Sequence, residues 1–327
     1  MMKCPKCGEE LEDGAAFCTN CGEKMVSAPV CPNCGAELRM TAKFCDQCGT
    51  NLITEHSETK KQTTPKKQQS TDIDAFRTIK TGKRFILKGL KDKSLTQIVI
   101  PNSVWKIDES AFQGCDRLEN VMIPDSVTEI GDSAFYGCSS LESVVIPDSV
   151  RDIGRYAFAN CCNLESVVIP GFVMEIRDHV FQDCSNLKSV AIPNSVWKID
   201  ESAFLDCSSL KNVVIPNSVR EICDSAFYGC SSLESLVIPD SVMKIGNSAF
   251  RGCSSLESVL IPDSDWNIGW YAFADCSSLE SVMIPDSVTE IGDHAFYGCS
   301  SLESVVIPSS VRKFRQAFDG DTRIIRE

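Results

Sequence analysis

Prolines stand at positions 101, 124, 147, 170, 193, 216, 239, 262, 285 and 308, each 23 residues after the last and each preceded by isoleucine. A fixed period of this length means a stacked array, because no single unit of 23 residues can bury its own apolar face. In the unit from Pro124 to Ile146 the apolar columns are Val127, Ile130, Ala134, Phe135, Cys138, Leu141, Val144 and Ile146, and they recur with hardly a break. About eight side chains per unit therefore point inward, and neighbours on both sides must cover them.

The spacing inside a unit predicts its local structure. Leu141, Val144 and Ile146 follow an L-x-x-L-x-L pattern whose last part alternates as a short strand does. Pro147 has no amide donor, so the strand stops there or lies where no ladder bond is needed. Val127 and Ile130 are three apart, with Ala134, Phe135 and Cys138 behind them, which predicts a turn or short helical return on the convex side. Nine full units run from Pro101 to Ile307. An eroded unit precedes them, with Leu95, Ile98 and Ile100 kept but Asp92 where cysteine is expected. A shortened unit follows Pro308, where Ala317-Phe318 arrives one residue early. Atypical end units suit a solenoid, whose ends must face water. Ten stacked strands about 4.8 Å apart would make a sheet roughly 45 Å long.

These columns resemble the BspA-like leucine-rich repeats, which share the pattern I-P-x-x-V-x-x-I-x-x-x-A-F-x-x-C-x-x-L, over about residues 95–320. The resemblance implies an α/β repeat solenoid of leucine-rich-repeat type, with 23-residue units and short parallel strands, over residues 73–327. Many members of that family are cell-surface or adhesive proteins. The start of this chain, Met-Met-Lys-Cys-Pro-Lys-Cys-Gly, has no apolar export region, so a cytoplasmic, reducing location is expected instead. No run approaches the ~18 apolar residues of a membrane span.

Ahead of the repeats, Cys4, Cys7, Cys18 and Cys21 form a C-x2-C-x10-C-x2-C set, and Cys31, Cys34, Cys45 and Cys48 repeat it 27 residues later. Two thiolates separated by two residues grip one Zn²⁺ from a tight turn, and two such turns close a tetrahedron. Gly8, Gly22, Gly35 and Gly49 follow the pairs, and Phe17 and Phe44 precede the third ligands. With four thiolates per ion no position is left open for substrate, so two structural zinc ions are expected. A disulfide-stapled domain is disfavoured on the compartment argument. The paired knuckles resemble double zinc-ribbon modules. Ribbons are placed at 1–27 and 28–53, followed by a linker at 54–72 that has no aliphatic or aromatic residue. Its Lys60, Lys61, Lys66 and Lys67 could touch nucleic acid, although a solubilising tether suits four lysines without interleaved aromatics better.

The net charge of -13 argues against a general nucleic-acid binder and against docking on an anionic membrane. Residues 1–72 hold 9 Lys or Arg against 10 Asp or Glu, so the acid excess lies in the repeats. Catalysis finds little support. His56 is in the linker, while His179 and His294 share a column five units apart and cannot meet. The cysteine column from Cys115 to Cys299 reads as small buried residues against the turn backbone, with Cys162 and Cys223 off the column and more exposed. Asp265 interrupts the column of Val104, Val127 and Val150 and predicts a local weak point.

Binding on the concave face is then the leading function, with a protein as partner and the ribbons docking a second partner. Its outward residues are Ser143 and Val145 and their equivalents, a mildly sticky stripe that strand propensity alone could also produce. Beside it runs a column of Glu119, Glu142, Glu165, Lys188, Lys211, Glu234, Glu257, Glu280 and Glu303. The two lysines relieve like-charge repulsion or mark a contact, and Val168, Lys188, Lys211 and Val214 form the candidate partner site. The alternative is nucleic-acid association through the ribbons and the lysine-bearing linker. A third reading, surface adhesion, would need export.

Overall fold

The structure is a computed structural model that describes Met2–Lys3, Glu10–Leu11 and residues 71–326, apart from Pro262 and residues 264–266. The eight ribbon cysteines, the linker lysines and Asp265 lie outside the described residues. The chain divides into two units, Met1–Glu58 and Thr59–Glu327. In the first, Met2–Lys3 pairs antiparallel with Glu10–Leu11.

The second unit is a right-through stack of 23-residue turns, and its spine is an eleven-stranded sheet that is parallel throughout. It opens with Gln97–Val99, Asn120–Met122 and Ser143–Val145, whose residues pair one repeat apart. It closes with Ser304–Ile307 and Arg323–Arg326. Up to Ser304–Ile307 the offset between partners equals the period, so each side chain meets its own equivalent, and alternation puts Val121, Val144 and Val167 inside while their neighbours face out.

A second row of two-residue strands, such as Glu129–Ile130 and Lys198–Ile199, lies further along each turn. It divides into a five-stranded sheet ending at Asp152–Ile153 and a four-stranded sheet beginning at Glu175–Ile176. The break falls at the turn carrying Gly171 and Phe172, where neighbouring turns carry Asp or Asn followed by Ser. The N-terminal end is covered by an antiparallel hairpin, Phe76–Thr81 and Arg84–Leu90, whose second strand pairs parallel with Val104–Ile107. Lysine and arginine at Arg77 and Lys80 keep the outer strand from recruiting another sheet.

The α/β expectation is corrected. The only helix among the described residues is the 3-10 turn Ile73–Ala75. The cause lies in where the backbone donors go. In the return segment Ser133, Phe135 and Gly137 donate to Arg155, Ala157 and Ala159 of the next turn, at 2.7, 2.7 and 2.8 Å. Amides bonded between turns are not free for i→i−4 bonds. Ser133 and Gly137 also take left-handed φ of 54° and 71°, which ends any helical run. The same two positions are left-handed along the stack. The one before cysteine is filled by Gly114, Gly137, Asn160, Asp183 and Asp206, the residue types that tolerate that region.

The core is the set of inward columns. Val127, Ile130, Ala134, Phe135, Cys138 and Leu141 are fully buried, and so are their apolar equivalents in the described residues of the full turns. Phenylalanines from Phe112 to Phe318 form one ladder, with consecutive ring centroids 4.8 to 5.7 Å apart and planes within 12°.

Candidate binding surface

The cysteine column behaves as buried structure. Each thiol from Cys138 to Cys299 donates to the carbonyl of the phenylalanine in the preceding turn, for example Cys207 Sγ to Phe181 O at 3.1 Å and Cys253 Sγ to Phe227 O at 3.4 Å. Burial pushes these thiols up, so they stay protonated and serve as donors. Cys162 and Cys223 are half-buried; burial pushes Cys223 up to about 11. Serine hydroxyls do the equivalent work nearby: Ser149 and Ser195 donate to Val127 and Val173 carbonyls at 2.6 Å.

The histidines are kept apart by the fold. His179 stacks on Tyr156 at 4.5 Å and His294 on Tyr271 at 4.9 Å, each against the residue one turn earlier in its own column. No group of three His, Cys, Asp or Glu that could hold a metal occurs among the described residues.

What the long sheet does present is a continuous apolar stripe. Its outward column runs Met122, Val145, Val168, Ala191, Val214, Val237, Leu260, Met283, Val306 and Ile325, one residue per turn. Val145 is 78% exposed, Val237 63% and Met283 70%. A repeating family pattern carries this geometry: the model of BspA-type leucine-rich repeat regions matches residues 88–211 and 198–324. The chain belongs to the BspA-type leucine-rich-repeat family. Residues 4–49 match the model of the double zinc ribbon.

Similar solved structures include a leucine-rich cell surface protein from Faecalibacterium prausnitzii. It is 26% identical, with 79% of this chain and 95% of that chain covered and a TM-score of 0.38. A leucine-rich repeat protein of T. pallidum is 25% identical over 72% of this chain and 91% of its own, with a TM-score of 0.40. One from Bacteroides ovatus is 25% identical over 79% of this chain and 100% of its own, with a TM-score of 0.35. No curated protein matches the chain.

Within this BspA-type solenoid, the four partner-site residues inferred from sequence fall on consecutive turns of one face. Val214 is exposed, while Val168 is half-buried. Lys188 pairs with Glu165 at 2.8 Å and Lys211 with Glu234 at 3.3 Å. The lysines thus tie the centre of the charged column to the glutamates on either side. All four side chains are more than half exposed, so each pair contributes at most about 1 kcal/mol.

A second outward ladder was not anticipated from the sequence. Trp197, Arg220 and Met243 donate their amides to the residue one turn earlier, and Met174 accepts from Trp197. Phe172 and Met174 at its end are 58% and 61% exposed, and the Arg151 guanidinium lies over the Phe172 ring at 5.1 Å. The signal was present in the sequence as a phenylalanine in a column otherwise held by serine. No helix among the described residues is long and apolar enough to cross a membrane.

Proposed function

We propose that the chain is a non-enzymatic interaction module: the long-sheet face of the solenoid binds a protein partner, and the ribbons dock a second. The apolar stripe carries this reading. Strand propensity favours β-branched and aromatic residues, yet Met122, Leu260 and Met283 are neither and stand exposed in the stripe. Packing inside the solenoid does not require them, and solvent disfavours them in one contiguous band. A protein surface that covers the band removes that cost.

The central residues Val168, Lys188, Lys211 and Val214 form the less acidic part of this face, with Gly171, Asn194 and Asn217 nearby in place of the Asp found at 148 and 240. Interface centres carry less charge than their rims, which supports contact there. At the N-terminus, eight cysteines in four C-x2-C pairs form a donor set that fits two tetrahedral zinc ions. Zinc supplies there the folding free energy that so small a core lacks. Buried thiols that must stay protonated to donate suit a reducing compartment, so we place the protein in the cytoplasm.

The test is capture of partners by the tagged full chain against Lys188→Glu/Lys211→Glu, quantified by mass spectrometry. The double change should lower capture of at least one protein several-fold with an unchanged melting temperature, because both side chains point outward. Equal capture by the two chains would remove the central lysines from the contact.

A further inference from the structure

The stripe is longest without interruption in the last full turns. Val237, Leu260, Met283 and Val306 are consecutive in register and between 40% and 70% exposed. On one side of them stand the exposed Glu257, Glu280 and Glu303, and on the other Asp240, Asp263 and Asp286. These six carboxylates pair with no cation among the described residues, whereas the central turns carry the Lys188 and Lys211 ion pairs. An apolar spine thus lies between two acidic rails, and among the described residues the nearest exposed cations on the sheet are Arg323 and Arg326 of the last strand, beyond the Glu303 end.

We infer that this C-terminal surface binds a basic amphipathic helix laid along the solenoid axis, with one apolar residue per helical turn on the spine and Lys or Arg on both flanks. The inference rests on the long-face reading above and assigns its partner chemistry. Spacing selects a helix over an extended strand. Spine residues repeat about every 4.8 Å and helical turns every 5.4 Å, so across three intervals the mismatch is about 2 Å. An extended chain repeats one face every ~6.6 Å and slips by about 5 Å, a whole repeat, over the same length. Each rail lies three residues from the spine along the chain, within reach of long basic side chains on either flank of a body 10–12 Å wide, in round terms about 11 Å. Helices of this kind dock through apolar anchors spaced about one turn apart, and the charge of the rails rejects acidic partners.

The probe is a fluorescein-labelled 18-residue helical peptide (about five turns) with leucine once per turn on one face and lysine on both flanks. Its controls are a scrambled peptide of the same composition and one with glutamate for lysine. Fluorescence anisotropy is read with the full-length chain loaded with zinc. The lysine peptide should bind saturably, at least about tenfold more tightly than either control. Leu260→Ser/Met283→Ser and Glu257→Gln/Glu280→Gln should each weaken it by about tenfold, and Val145→Ser by less than about twofold. All of these side chains are exposed, so unchanged melting temperatures are expected and are measured alongside. Absence of binding, equal binding of the scrambled peptide, or indifference to the C-terminal changes would overturn the proposal. If Val145→Ser or the double lysine change moves binding instead, the long-face reading stands and only the C-terminal assignment falls. If no substitution moves it, both fall.

Discussion

Replacing Phe204 by alanine tests whether the ring ladder is what couples one turn to the next. Phe204 is fully buried, with Phe181 at 5.5 Å on one side and Phe227 at 5.0 Å on the other. Removing a buried phenylalanine costs about 3–5 kcal/mol in transfer and cavity terms. Each lost ring contact adds about 0.5–1.5 kcal/mol beyond area burial. The lower half of that combined range, about 5 kcal/mol, is expected because neighbouring rings close part of the gap. Phe318 is the contrasting case: it is half-buried and has one ladder partner, Phe296, at 5.2 Å. Its replacement by alanine should cost about 2 kcal/mol. Urea titration followed by far-ultraviolet circular dichroism measures both. Hydrogen exchange would then show Phe204→Ala loosening both adjacent turns and Phe318→Ala only the last one, as nearest-neighbour coupling requires. Equal costs, or loosening spread evenly over the stack, would refute coupling through the ladder.

Metal analysis of the full chain should find two zinc ions, and carboxymethylation of Cys4, Cys7, Cys18, Cys21, Cys31, Cys34, Cys45 and Cys48 should abolish both; zinc retained after that would place metal in the solenoid. Iodoacetamide labelling mapped by peptide should modify Cys162 and Cys223 in the folded solenoid well before Cys161 or Cys184. Those two are buried thiols pushed up by burial, and equal rates would contradict that. As pH rises toward about 11, Cys223 should gain reactivity, because its thiolate fraction grows there while the column thiols stay protonated. Phe172→Ser should raise stability by about 0.5–1 kcal/mol, since a serine there can donate to a carbonyl one turn earlier as Ser149 and Ser195 do. A fall in melting temperature would show that the exposed ring and its Arg151 contact matter more.

Much of the solenoid was legible because its inward columns have no freedom. The spacing of Leu141, Val144 and Ile146 gave the strand and its buried face, and the cysteine column could be assigned to the turn backbone before any carbonyl acceptor was known. The return segment was legible only as a turn or a short helix, since spacing of three and four is shared by helices and by turns that bond to a neighbour. Only the left-handed residues decide between them. Gly137 and its Asn and Asp equivalents carry a visible sign of that conformation. Ser133, Tyr156 and His179, left-handed at 54°, 56° and 58°, carry none, because there the stacked neighbours hold the backbone. The stripe was legible as Ser beside an aliphatic residue, but its continuity through Ile325 depends on the last strand, which lies beyond the regular repeat.

The outward columns require a different argument from the inward ones. Stacking explains why Phe135 or Cys138 recurs, since a change there opens a cavity or strands a carbonyl. It does not explain Glu257, Glu280 and Glu303, whose carboxylates form no ion pair among the described residues and which stand one turn apart. Adjacent carboxylates at about 5 Å repel by roughly 0.8 kcal/mol even in water. The centre of the same column shows that the solenoid tolerates the opposite sign, because Lys188 and Lys211 sit there with paired glutamates and the strands continue unbroken. The acidic run is therefore not a requirement of the fold, and positive charge approaching that face from outside would relieve its repulsion.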